Sequence, residues 1–502
     1  MKRKGLLKLV VPISLIVVLA VGLPLMSGCM PEAAPPVTPP VTPPVTPPVE
    51  PPVTPPVEPP EEVEPIYIGF VGPLSGPYTH AGEGKREGVE LAVKEINEAG
   101  GVLGREVIVI IRDSKFMVEA DPTAAYCKEF IDKYNVAFVC GGYSDTTGQT
   151  VQANTVWRGV PFLSLVSANP VATRGDEIHP YKFTFQVNTD EMAFMYVPYL
   201  MVNNLVDKKW FLIGPDYEWG WGINIGVENA VLQYGGEVIK TVHTPLPTLD
   251  MAPYVAEFER LLPGGEGTIF NCSGGTEDAA FIQAVHDARL IEKGYDVVDI
   301  PIDTAIYHYA LADPDLWEGI YTADYSWYGE PEGREFVMKY YNEYGKFPGE
   351  MTGCVSYFQT TWALKAIEAT GTLDAAVWTE WLRGRHLTGV IDTKDKYYDA
   401  VNGRLVQQMD TYRFKQPEDM VDIFPGLPEI GAEWDHLELL HVNTTEYMAA
   451  LTTDEDEIAG IPNGDYRIGL AVRAYWEAYC EEHGLEMPPN LRGTAPLIYG
   501  GD

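Results

Sequence analysis

Positive charge is scarce in this chain. Of its 502 residues, 35 are Lys or Arg against 72 Asp or Glu, which sets the formal net charge at −37. A protein grips nucleic acid through Lys and Arg, so that partner is excluded, and docking of the body onto anionic lipid is disfavoured. Cysteine is also scarce. There are six, and the spacing of Cys127, Cys140, Cys272, Cys354 and Cys480 matches no metal motif. Five is odd, so at least one of these thiols stays unpaired. A Cys127–Cys140 bridge is open to the chain in an oxidising compartment, with buried free thiols the expected state. His436 and His441 are too isolated to make a metal site. Catalytic signatures are missing: there is no G-x-S-x-G, no H-E-x-x-H and no Cys/His pairing at a recognised spacing. No catalytic residue, metal or cofactor is therefore expected, although groups that meet only in three dimensions would leave no such trace. Long apolar runs are confined to the N-terminus, so no membrane span leading to a signalling domain is expected.

That N-terminal run follows a basic start of Lys2, Arg3, Lys4 and Lys8. No charged side chain occurs from Leu9 to Pro31. A basic segment followed by a short apolar one is the pattern of a secretory signal. The alternative, an uncleaved span, needs about 20 apolar residues, and Pro12 and Pro24 interrupt this one. The run ends in Leu25-Met26-Ser27-Gly28-Cys29, which resembles a bacterial lipobox with Met26 where Leu is usual. The resemblance implies lipidation of Cys29, removal of residues 1–28 and anchorage to a membrane. Without the four positive charges of the leader, −37 becomes about −41.

Proline, by contrast, is plentiful from Pro31 to Pro65. Val-Thr-Pro-Pro or Val-Glu-Pro-Pro recurs six times between Val37 and Pro60. Paired prolines fix φ and remove backbone donors, so neither helix nor sheet forms. Residues 29–65 are expected to be a polyproline II tether of about 100 Å at ~3.1 Å per residue. It serves either as a spacer or as a ligand for a Pro-binding module, and outside a cell the spacer is expected.

The body, Ile66 to Asp502, is long enough for two or three domains. Ile66–Val71 reads as a strand, Gly72–Gly84 as a Gly/Pro/Ser loop, and Gly88–Ala99 as an amphipathic helix with Val89, Ala92, Val93 and Ile96 on one face. Glu106–Arg112 is a continuous apolar run, as expected of a parallel strand covered on both faces. The beat repeats. Helices are predicted over Pro122–Tyr134, Gly148–Arg158, Glu191–Asn204, Gly222–Tyr234, Met251–Leu262 and Glu277–Arg289. Strands are predicted over Ala137–Cys140, Pro161–Leu165, Lys209–Ile213, Glu237–Val242 and Gly267–Cys272. Such alternation implies parallel sheets with right-handed crossovers, and there are too many units for one sheet. The fold class is α/β, with two doubly wound parallel-sheet lobes. Ligands of such sheets lie beyond the carboxyl ends of the strands.

Several segments, in order, resemble the leucine/isoleucine/valine-binding proteins of ABC importers. They are Ile68-Gly69-Phe70-Val71-Gly72-Pro73-Leu74-Ser75-Gly76-Pro77, then Gly88–Ala92, then Glu95 through Gly104. Asp113, Pro161, Ser167-Ala168-Asn169-Pro170, Arg174-Gly175, Tyr217 through Gly222 and Tyr357 through Gly371 continue the pattern. The resemblance implies the type I periplasmic-binding fold, in which three crossovers join lobes that close on ligand. Here they would fall near Gln186–Asn188, Tyr321–Tyr325 and Ile391–Thr393. The implied lobes are 66–187 with 325–391, and 188–324 with 392–422. Residues 423–502, with helices over Thr444–Leu451 and Ile468–His483 and an acidic run Asp454–Glu457, form a C-terminal extension of no evident purpose.

In that family hydroxyls and helix-start N–H groups hold a ligand carboxylate. That is sound physics, because helix N-termini attract anions. The matching positions are Ser144, Asp145 and Thr146 with Thr147, and Ser167 and Ala168 after Val166. Ordinary N-capping is the alternative for the first group, though a cap and a binding role can coexist and ligand contact is expected. Trp219 falls at an aromatic lid position, Asp303 or Thr304 near the acidic ammonium partner, Thr276 on a loop whose family aromatic is absent, and Tyr357 at a helix position that also suits core packing. Asp145 stands where the family has Ser, Ala168 where it has Thr, and Ala81 where it has an aromatic. An Asp repels an anion and welcomes an ammonium or hydroxyls. The expectation is a lipid-anchored extracytoplasmic binding protein. It would deliver an amino acid or related small polar solute to an ABC permease. A ligand-sensing receptor component and an extracytoplasmic hydrolase remain as alternatives.

Overall fold

The computed structural model describes residues 63–116, 122–165, 173, 178–185, 187–300, 314–325, 331–424, 435–452 and 467–491. All of them belong to the compact unit Glu62–Asp502. The chain opens with β1 (Ile66–Gly72), α1 (Thr79–Glu98), β2 (Val107–Asp113), α2 (Thr123–Asp132), β3 (Val139–Gly141), α3 (Asp145–Thr155), β4 (Phe162–Ser164) and β5 (Lys182–Thr184). These strands make one parallel sheet in the order β2-β1-β3-β4-β5. After α4 (Thr189–Met192) and α5 (Val197–Val202), the beat resumes. It runs through β6 (Lys209–Pro215), α6 (Glu218–Gln233), β7 (Glu237–Thr244), α7 (Ala252–Leu261), β8 (Thr268–Asn271), α8 (Thr276–Ala288), β9 (Asp296–Asp299) and β10 (Tyr321–Asp324). Their parallel order, β7-β6-β8-β9-β10, repeats that of the first sheet.

The chain then returns to the first sheet's helices with α9 (Pro331–Tyr344), α10 (Val355–Thr370) and α11 (Ala375–Leu382). A small antiparallel sheet of β11 (His386–Leu387), β12 (Lys396–Tyr398) and β13 (Leu405–Val406) follows. Its end lies beside β5, where the Thr184 amide donates to Gly403 O at 3.0 Å. The chain reaches the second sheet again only at β14 (Asp410–Phe414), antiparallel to β10. The third passage therefore runs through residues 407–409 rather than 391–393, because β12 and β13 stay with the first lobe. The second sheet is also not wholly parallel, since β14 and then β15 (Leu437–His441) add antiparallel strands at its edge. α12 (Thr445–Thr452) and α13 (Arg467–His483) complete the described chain. No described helix is long and apolar enough to cross a membrane.

Each parallel sheet is apolar on both faces, as doubly wound strands must be. Val71, Phe130, Val151 and Phe162 fill one side of the first sheet, and Phe211, Phe258, Phe281 and Trp317 one side of the second. The inner faces merge through the passages into one core with α10, α11 and the C-terminal helices. Trp378 on α11 is fully buried between Phe138 and Phe183. An aromatic placed so contributes a few kcal/mol, roughly the burial of 150–250 Å².

Two helices start earlier than their composition suggests. α1 begins at Thr79, nine residues ahead of Gly88, so the second half of the expected Gly72–Gly84 loop is helix. Its glycines mark close packing instead. A Cβ at Gly82 would lie 1.8 Å from Pro73 O, and one at Gly88 2.2 Å from Gly353 O. α6 repeats the device, since a Cβ at Gly220 would lie 2.0 Å from Pro215 O. In both lobes the first turn of a helix is thus drawn tight against the end of the preceding strand. The five described cysteines are buried and none is in a disulfide, so the Cys127–Cys140 bridge does not form.

Candidate solute-binding cleft

In each lobe the strand order reverses between the first strand and its neighbour, so the loops after β1 and β3, and after β6 and β8, diverge from one point. Four helix starts follow these loops. α3 is the most fully built. Gly141 and Gly142 adopt φ of 134° and 76°, which lets the chain turn tightly at the strand end. Ser144 then caps the helix, its Oγ accepting from the Thr147 amide at 3.1 Å. Asp145, 3% exposed, lies in the first turn. The positive end of a helix stabilises such a carboxylate, so the capping role and a site role coexist in one turn. Thr146 is exposed.

Tyrosines close this space. Tyr78 packs on Phe116 at 5.3 Å and on Tyr143 at 5.0 Å between ring centroids. Lys85, fully buried on α1, donates to Gly142 O at 3.3 Å and stands 4.8 Å from the Tyr143 ring centroid. From the second lobe, Tyr217 faces the same group. Its hydroxyl is pushed well above the ordinary value, first by burial and then by Tyr143, Tyr78, Asp145 and Cys272. The lobes touch directly. The Tyr78 hydroxyl donates to Glu277 Oε2 at 3.4 Å, and the Thr248 amide donates to Glu277 Oε1 at 2.6 Å. Burial raises the carboxyl of Glu277 above its ordinary range. Gly275, beside His80 and Tyr78, adopts φ of 65°, a left-handed conformation that favours glycine.

Behind the second-lobe loops lies a buried acid pair. Asn271 donates through Nδ2 to Asp278 Oδ1 and to Asp299 Oδ1, both at 3.1 Å. Asp278 and Asp299 are each 1% exposed. Burial pushes Asp299 up to about 7, while hydrogen bonds from Asp278 and Asn271 oppose the shift. The Cys272 thiol is raised by burial and by both carboxylates. Among the described residues no three His, Cys, Asp or Glu side chains are grouped to hold a metal.

The predicted residues divide accordingly. Ser144, Asp145 and Thr146 stand together at α3. Trp219 reaches the second-lobe side, but its indole N–H donates to Cys272 O at 2.9 Å and so fastens α6 to the end of β8. Thr276, exposed, opens α8 beside Glu277. Tyr357 is not in the cleft. Its hydroxyl meets Glu95 and Lys339 among α1, α9 and α10, about 25 Å along α1 from Tyr78 at 1.5 Å per residue. It belongs to the packing of the first lobe. Ser167, Ala168, Asp303 and Cys29 lie outside the described residues. Tyr78, Tyr143 and Lys85 are not among the expected ligand contacts. A usable signal did exist, since a tyrosine follows the strand end in three of the four cleft loops, at 78, 143 and 217.

Residues 65–419 match the sequence profile of a family described as periplasmic binding protein. The chain is similar to Leu/Ile/Val-binding protein homolog 7 of Brucella abortus strain 2308. The two are 25% identical over 328 residues, which cover 62% of this chain and 79% of that protein. Its fold is similar to a periplasmic binding protein of Burkholderia mallei, with TM-score 0.67 and 19% identity over 79% of this chain and 98% of the other. It is also similar to a solute-binding protein of an ABC transporter from Rhodopseudomonas palustris BisB5, solved with 3,4-dihydroxybenzoic acid. That match has TM-score 0.63 and 18% identity over 75% and 96% of the two chains. All three relatives are named as binding proteins, and one as the solute-binding protein of an ABC transporter.

Proposed function

The chain belongs to the periplasmic binding protein family, and from that premise we propose that it captures an amino acid or a related small polar solute between its lobes for an ABC importer. Membership implies a body outside the cytoplasm. The observation that carries the finer reading is Asp145, buried in the first turn of α3 and close to Tyr217 of the second lobe, with Glu277 on that lobe bonded to Tyr78. Carboxylates on both sides favour a solute that brings an ammonium or hydroxyl groups, since opposite charge within about 4–6 Å favours the ionised pair. Closure follows if solute binds the closed form better than the open one.

A second reading has its own observation. Tyr78, Phe116 and Tyr143 lie ring against ring beside the buried cation of Lys85. Such a group suits an aromatic acid, the class held by the Rhodopseudomonas protein. One experiment separates the two. A thermal-shift panel of amino acids, polyamines, hydroxylated solutes and benzoates should yield a ligand, because a hundredfold excess over Kd adds about 2.7 kcal/mol of apparent stability. Asp145→Ala is expected to abolish calorimetric binding of a cationic or hydroxylated ligand. Unchanged affinity removes Asp145 from the site, and tighter binding of a benzoate by the variant supports the second reading.

The anchor is proposed on Leu25-Met26-Ser27-Gly28-Cys29. Cys29→Ala is expected to move the protein from the membrane fraction to the soluble extracytoplasmic fraction. Retention with membranes rules out lipidation at Cys29 as the sole attachment.

A further inference from the structure

The chain beyond residue 419 lies outside the family match, yet it is built into the place where the lobes join. We propose that the described residues beyond 419, namely 420–424, 435–452 and 467–491, act as a splint across the hinge, which limits how far the lobes swing apart. The proposal rests on the reading of two closing lobes and goes beyond it.

One end of the splint is fixed to the second lobe. β15 pairs antiparallel with β14 and extends that sheet. Trp476 on α13 is fully buried. Arg473 donates to the carbonyls of Gln233 and Pro488, and the Leu491 amide donates to Leu232 O at 2.8 Å, at the end of α6. His441 stacks on Tyr199 of α5 at 4.7 Å.

From that footing the segment reaches the passages. Asn443 is fully buried. Its Nδ2 donates to Met195 O at 2.7 Å and to Met409 O at 2.6 Å. Met195 follows the first passage into the second lobe, and Met409 lies in the third, so one amide group joins the two. The Tyr447 hydroxyl donates to Phe194 O and accepts from the Trp476 indole N–H at 3.1 Å. The Asn443 amide donates to Asp410 Oδ1 at 3.1 Å, and Lys394 approaches the same carboxylate at 3.5 Å from the first-lobe side.

The other end touches the first lobe. α12 lies against β13. Phe424, 3% exposed, packs edge-on against Phe347 at 5.6 Å. Phe347 follows α9, whose Tyr340 and Tyr344 bond to Glu87 on α1. Hinges work because a few residues absorb the change in φ and ψ. Here the third passage is held through the Met409 carbonyl, and the second-lobe turn just beyond the first passage through those of Phe194 and Met195. Wide opening would also pull Phe424 off Phe347 and α12 off β13, exposing apolar surface.

The test uses the full chain without solute. Nitroxide labels carried on p-acetylphenylalanine replace Lys128 in the first lobe and Arg260 in the second, both exposed. Phe424→Ala and Asn443→Ala are expected to lengthen and broaden the interlobe distance distribution relative to the parent, while circular dichroism stays native. A distribution unchanged in the folded variants overturns the splint. If Asn443→Ala does not fold, Phe424→Ala alone decides, since it leaves the ties to the second lobe intact. If the parent closes on a solute and the variants match it in every state, the splint fails and the binding reading stands. A fixed distance in parent and variants, with or without solute, overturns both.

Discussion

Glu191→Ala is expected to cost about 3–5 kcal/mol, the usual loss when one partner of a buried ion pair is removed. Arg404 is 1% exposed and so is Glu191. The guanidinium meets both carboxylate oxygens, with Nη1 donating to Oε1 at 3.0 Å and Nη2 to Oε2. Removing the carboxylate strands a positive charge that water does not reach. Asn188 and Glu191 also form the capping box of α4, so the variant loses the start of that helix too. Against a total stability of roughly 5–15 kcal/mol, the loss is large. The double variant Glu191→Met with Arg404→Leu is expected to regain most of it, because an apolar pair of similar volume often replaces a buried ion pair without penalty. Urea midpoints with unchanged slopes provide the check. A loss below about 1 kcal/mol for Glu191→Ala would mean that water enters the site and solvates Arg404. The pair joins α4, at the entrance to the second lobe, to the strand beside β5 in the first, so its loss is felt by both.

The second large effect is one of pH. Asp299 has a folded-state carboxyl raised to about 7 by burial beside Asp278. Its unfolded value is about 3.9. The folded state therefore holds a proton that the unfolded state releases between those values. The contribution is fully present below pH about 4 and is lost as pH rises toward 7, in total on the order of 4 kcal/mol. Asp299→Asn keeps the acceptor for Asn271 and removes the charge. Its stability relative to the parent should rise from about pH 4 and level off above about pH 7. Many other carboxylates titrate in this acidic chain, so the difference between variant and parent is the quantity to follow. Parallel pH profiles for the two proteins would mean that the Asp278–Asp299 pair holds no such proton.

How much of this was legible in the sequence depends on whether the cause was local. Strand–helix alternation is local, and it announced the two doubly wound lobes. Helix starts were less legible, because Gly82, Gly84 and Gly88 look like loop residues. Their small size serves contacts with Pro73, Thr352 and Gly353, and the last two lie some 265 residues away. The third passage was placed too early because nothing in Lys396–Val406 reveals its pairing beside β5. Asp145 was legible, since Gly-Gly followed by Ser-Asp-Thr-Thr after a strand is a helix start wherever it occurs. Lys85 was not, because a lysine on a helix is ordinarily solvated, and only the fold buries it under Tyr143. Tyr357 shows the converse error. A position inferred from resemblance lay among α1, α9 and α10, where Glu95 and Lys339 claim its hydroxyl.

The triple passage between the lobes has a consequence for synthesis. Neither lobe is one continuous stretch of chain. The first lobe needs α10 against α1 and β13 beside β5, so no nascent chain that stops before about residue 406 can complete it. Contacts between residues so far apart form late and slowly. A growing polypeptide of this kind cannot complete its first lobe until nearly all of the body has been made, and an incompletely folded chain is what an export channel can thread.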